Sequence, residues 1–202
     1  MPTSVSENAR LASALGLFGE LLLLDHTWTA AASNQVPLGS EDRAALKAVV
    51  DEMLDLIPRA VEAAHDAFQI IEAHGAAIDK ATRQIAEAVP GEYRKDFLEL
   101  LERPGGVVNL AQTGYDALAE QAGDAAADLH AQYEKLISEG TAKADFGERF
   151  LCALVVCSVA AGVATAWIPP YVHGAAGLAA GLLVYQKVGC KKVSWRKKPA
   201  LA

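Results

Sequence analysis

Residues 148–170 read ERFLCALVVCSVAAGVATAWIPP. From Phe150 to Ile168 this stretch runs 19 residues without a charge. At helical rise that is about 28 Å, close to the hydrocarbon thickness of a bilayer. Pro169 and Pro170 cannot continue the hydrogen-bond ladder, so the chain is expected to turn there. Tyr171 to Tyr185 is a second uncharged segment, of 15 residues, reaching about 22 Å. Lys187 can lengthen it by snorkelling. The two arms together predict a hydrophobic helical hairpin.

Both arms carry small residues at helical spacing. Ser158, Gly162 and Ala166 lie four apart on the first, and Gly177 and Gly181 form GxxxG on the second. Such stripes let helices approach closely in lipid, where hydrophobic attraction between helices is absent. Phe150 and Leu154 open the apolar surface of the first arm. Trp167 and Tyr171 flank the turn, and Tyr185 and Trp195 flank the exit, as aromatic residues do at membrane interfaces. Arg149 stands at one open end and Lys187, Lys191 and Lys192 at the other, while the turn has no lysine or arginine. The positive-inside bias therefore keeps both open ends cytoplasmic. Arg149, Lys187, Lys191, Lys192, Arg196, Lys197 and Lys198 are the expected contacts to anionic headgroups, each worth on the order of 1 kcal/mol near the surface.

Outward from the hairpin, charge changes sign. All 25 acids lie at or before Glu148, with 11 of the 18 bases, so residues 1–148 carry −14. From Arg149 onward there are seven bases and no acid, giving +7 and a whole-chain charge of −7. This asymmetry suggests an interaction surface at the basic end. Nucleic acid is not the expected partner, because the tail bases are few and Trp195 is the one aromatic among them. The three cysteines, Cys152, Cys157 and Cys190, are an odd set with two inside an apolar run. They read as small buried thiols in a reducing compartment rather than a disulfide framework.

The acidic part reads as helices. Helix one is expected from about Ser6 to Ala32, with Leu11, Leu15, Phe18 and Leu22 on one face and Leu21 and Leu24 broadening it. Arg10, the run Leu11–Leu24 and Ala30–Ala32 have the outline of a secretory signal, but Glu20 interrupts the run and Asp25 follows it, so an amphipathic or buried first helix is expected. Ser40, Glu41 and Asp42 suit a helix start. Leu46, Val50, Met53 and Ile57 follow at helical spacing, with Pro58 expected to kink or break the helix. The pattern resumes through Val61, Ala64, Phe68 and Ile71, with Gly75 a candidate end. Further helical stretches are expected over 76–89 and 92–102. A long helix over 107–138 carries Ala111, Tyr115, Leu118, Ala122, Ala125, Leu129 and Leu136 as a packing seam. Gly140 ends it. With no useful strand-period run, the expected class is all-α: an acidic helical bundle over 1–140, then a hydrophobic hairpin with a cationic tail over 141–202.

Chemistry is sparse. Glu62 and His65 form an ExxH pair, but di-metal bundles need a second copy, and position 127, three before His130, is alanine. His173, beside the apolar turn, is the type of group that changes charge near neutral pH. Motifs for nucleophilic, phosphate-binding or thiolate-metal sites do not occur. The expectation is a non-enzyme with no cofactor and no metal. It is expected to insert into membranes, as a pore former or membrane-perturbing toxin or effector, with anionic lipid as partner and a homo-oligomer as a state open to it. In outline this is similar to colicin-type pore-forming domains, in which a bundle shelters a hydrophobic hairpin. The likeness is one of architecture and composition over the last quarter of the chain. Two alternatives stand beside it: a membrane-anchored interaction protein with a cytoplasmic docking module, and a soluble helical oligomer that buries the hairpin between subunits.

Overall fold

The computed structural model describes residues 5–33, 38–88, 91, 94, 95, 98, 105–142, 146–166 and 190. Among these the fold is all-helical, with no strand. The helices are α1 (Val5–Ala32), α2 (Ser40–Ala88), α3 (Gly106–Glu139) and α4 (Glu148–Ala166).

Cross-helix contacts fix the topology. Arg10 of α1 meets Asp66 of α2 at 2.7 Å, and Glu7 approaches His74 at 3.4 Å. Descending α1 numbers thus pair with ascending α2 numbers, and the two helices are antiparallel. Phe68 stacks on Tyr115 with centroids 6.2 Å apart, and Gly75 lies against Val108, so α2 and α3 are antiparallel as well. Gly114 faces Val156 and Cys157, while Gly147 faces Ala125, which turns α4 back along α3. The result is an up-down-up-down bundle.

Helix α2 is longer than its sequence suggests. It runs through both Pro58 and Gly75 without ending. Pro58 is exposed, while Leu56, Ile57 and Ala60 on either side of it are buried. The carbonyl that loses its partner to the proline ring can therefore be reached by water, and packing of the flanking residues carries the helix across. Gly75 is not a terminator. It is buried, and a Cβ there would collide with the Val108 side chain, so glycine permits the close approach of α2 and α3. At the start of α2, Asp42 accepts a hydrogen bond from the Gly39 N–H at 3.0 Å, satisfying a donor that the helix leaves open.

The α3 seam packs as its spacing predicts. Ala111, Leu118, Ala125, Leu129 and Leu136 are buried, with Tyr115 and Ala122 half-buried. Gly140, at φ +71°, closes the helix by donating its N–H to the Leu136 carbonyl at 3.0 Å. In α1 the buried face is Leu11, Ala14, Phe18, Leu21 and Trp28: Leu11, Phe18 and Leu21 are where the pattern puts them, while Leu15, Leu22 and Leu24 are half-buried at its edge.

Candidate functional site

Helix α4 is the feature that an ordinary surface helix cannot imitate. Every residue from Phe150 to Ala164 is buried. Helices α1, α2 and α3 all pack against it. A helix apolar on all faces must be enclosed, because each large side chain left in water costs roughly 1.5–3 kcal/mol. Phe150 and Leu154 are fully buried, and Phe150 meets Phe146 edge-on with centroids 5.6 Å apart.

The polar groups of α4 are satisfied within the helix itself. Ser158 Oγ donates to the Leu154 carbonyl at 2.8 Å, and Thr165 Oγ1 to the Gly162 carbonyl at 2.8 Å. Those hydroxyls need nothing from the surrounding bundle. Charge is confined to the first turn, where Glu148 and Arg149 are exposed. Among the described residues α4 is the one helix long and apolar enough to cross a membrane, over Glu148–Thr165. The same length and composition also serve the centre of a soluble bundle.

Gly114 sets the closest approach to α4. A Cβ there would lie 2.9 Å from Val156 Cγ1 and 3.0 Å from Cys157 Sγ. Gly162 is buried beside Ser158 on the small-residue stripe.

The cysteines depart from the sequence expectation. Cys152 and Cys190 form a disulfide, with Cα atoms 5.4 Å apart, and both residues are fully buried. Cys157 remains a free, buried thiol. The pairing was not legible because a separation of 38 residues says nothing about a chain path that brings residue 190 back beside the start of α4. A disulfide also points away from a reducing compartment.

The other expected membrane residues, Trp167, Pro169, Pro170, Tyr171, Gly177, Gly181 and Tyr185, lie outside the described residues. So do His173 and the headgroup candidates Lys187, Lys191, Lys192, Arg196, Lys197 and Lys198. The ExxH pair is not drawn into a cluster. Glu62 is exposed, while His65 packs on the Tyr115 ring with centroids 5.1 Å apart and lies 3.3 Å from the Gln69 amide nitrogen. No group of three or more metal-ligating side chains occurs among the described residues.

The burial of Asp25, which in the sequence marks the end of the first apolar run, was not expected. Asp25 is mostly buried, its Oδ1 has no hydrogen-bond partner among the described residues, and burial pushes its carboxyl up to about 6. The chain matches no family model, no curated protein and no solved structure.

Proposed function

We propose that the protein is a membrane-inserting helical protein, pore-forming or membrane-perturbing, whose soluble form shelters its apolar segment inside an acidic bundle. The observation that carries this reading is the complete burial of the uncharged run Phe150–Ala164 in a helix whose Ser158 and Thr165 hydroxyls bond to its own backbone. In water, removing α4 from α1, α2 and α3 exposes a large apolar surface at high cost. In lipid the same surface meets acyl chains and the cost largely vanishes. Because Ser158 and Thr165 bond to their own backbone, the transfer breaks no polar contact at those groups.

The disulfide supports a hairpin as the unit that moves. By Ala166, helix α4 has carried the chain about 21 Å from Cys152, yet Cys190 lies beside Cys152 again. Cys152 and Cys190 thus stand together, close in sequence to Arg149 and to Lys191 and Lys192. Anionic headgroups are the partner this charge would seek first. Insertion follows, with the acidic bundle held outside the bilayer.

Dye release from anionic liposomes tests the proposal. Release by the full chain, with α1, α2 and α3 becoming open to protease and α4 staying protected when vesicles are present, is the expected result. No release at any pH, with α1, α2 and α3 as resistant to protease with vesicles as without, would overturn it and leave α4 as the core of a soluble bundle.

A further inference from the structure

All three cysteines of the chain lie past residue 148, and two of them are joined. Cys152 stands in the first turn of the uncharged run, and Cys190 lies 38 residues further on, beyond the paired prolines. The bond closes that whole apolar stretch into one loop. A general staple for the fold would tie α1, α2 or α3, and none of these carries a cysteine. This bond ties only the element that the bundle shelters.

Both bonded residues are fully buried, so a reductant reaches them only when the bundle opens. In a chain opened in water, residues 152 and 190 would drift apart, and the bond forbids that freedom. On the loop-entropy account, a link of this span favours the closed state over the opened one by up to about a thousandfold. Cutting it leaves the packing of α4 against α1, α2 and α3 in place and weakens only the hold.

The chain does not cut the bond by itself. The third thiol, Cys157, is buried five residues from Cys152, on a different face of α4. Burial pushes this thiol up, so it stays protonated and is a poor nucleophile. The reductant must come from outside. Lys191 and Lys192 directly follow Cys190, and cationic neighbours favour a thiolate and make it the better leaving group. A thiolate of an incoming dithiol therefore attacks Cys152 Sγ, and Cys190 leaves. The second thiol of the reductant then displaces Cys152 and closes the reductant's own disulfide. Two electrons and two protons pass from the dithiol to the protein, which is left with two thiols.

We propose that the Cys152–Cys190 bond is a redox latch on α4, holding the sheltered form closed until a dithiol reductant cuts it during a transient opening. That the freed helix meets lipid rests on the membrane reading above. That the bond holds the helix in does not.

Amide hydrogen exchange of the full chain in lipid-free buffer, oxidised and after reduction by dithiothreitol, tests the latch. The reduced chain should keep its helical content. Its α4 amides should exchange at least about tenfold and up to about a thousandfold faster, and reoxidation should restore the slow rate. Cys190→Ser should exchange as the reduced chain does and ignore dithiothreitol. Cys157→Ala, which keeps the bond, should keep the response. Equal exchange in the oxidised and reduced chains would overturn the latch. So would a reduced chain that loses its helices, because the bond is then a requirement of the fold and not a switch. With anionic liposomes, the reduced chain should release dye faster than the oxidised one, and equal release by both would also overturn the latch. If neither form releases dye while exchange still differs, the membrane reading fails and the latch on the bundle stands.

Discussion

Asp25 shows how a single residue can set the pH response of the bundle. Its carboxyl titrates near 6 in the folded chain against 3.8 for the free side chain, because burial disfavours the charged form. Between those values the folded chain holds the proton more tightly than the unfolded chain, so stability rises as pH falls through 6 towards 4. Above pH 6 the fold carries an ionised, partly buried carboxylate. Discounted for its partial exposure, that costs roughly 1–2 kcal/mol. Asp25→Asn should therefore raise the urea midpoint at pH 7.5 and flatten the pH dependence between 4 and 7. An unchanged midpoint would mean that water reaches the carboxylate freely. The sign also bears on release: acidification tightens this site, so Asp25 does not serve as an acid trigger. In the sequence Asp25 counted against a signal segment, as the acid that follows the first apolar run. Its burial depends on which neighbours close over it, and a periodic pattern does not carry that information.

The helices themselves were largely legible, and the exceptions share a cause. α1 and α3 begin and end within a residue of where their patterns place them. Gly75, and Pro58 as a candidate break, misled because local propensity was read without the packing that overrides it. Gly75 and Gly114 are both places where one helix needs another's surface within contact distance, and a lone glycine in a helical pattern looks the same whether it ends a helix or admits a neighbour. Two glycines of α3 separate these roles. Gly123 is exposed with nothing near its absent Cβ, so Gly123→Ala should stabilise by about 0.5–1 kcal/mol through helix propensity alone. Gly114→Val would force a branched side chain into Val156 and the Cys157 backbone. It should destabilise by roughly 1–3 kcal/mol. If α4 is the inserting element, Gly114→Val should also leak vesicles faster at equal protein concentration. Thermal melts of the two variants check the first pair of expectations. A Gly114→Val protein as stable as the parent would mean that α3 and α4 can slide apart without loss.

At the scale of the whole chain, composition showed that an acidic body gives way to a basic, apolar end, but it did not show how that end is held together. The disulfide ties its two sides, Cys152 to Cys190. Cross-linking positions 38 residues apart restricts the unfolded chain by about 4 kcal/mol on the loop-entropy account. Cys190→Ser should therefore cost on that order, measured by chemical unfolding of the full chain. Accessibility gives a sharper expectation. Both sulfurs are buried, so a water-soluble phosphine should reduce the bond slowly in buffer, at a rate set by opening of the bundle, and urea below the unfolding transition should accelerate it. In the proposed inserted state Cys152 lies one turn from Arg149, and Cys190 immediately precedes Lys191. The charges would hold both sulfurs near the headgroups, where water is present. Anionic vesicles should then speed reduction, and neutral vesicles should do so less. If reduction is equally slow with and without anionic lipid, the helices around α4 stay closed at the membrane, and any leakage must come from another part of the chain.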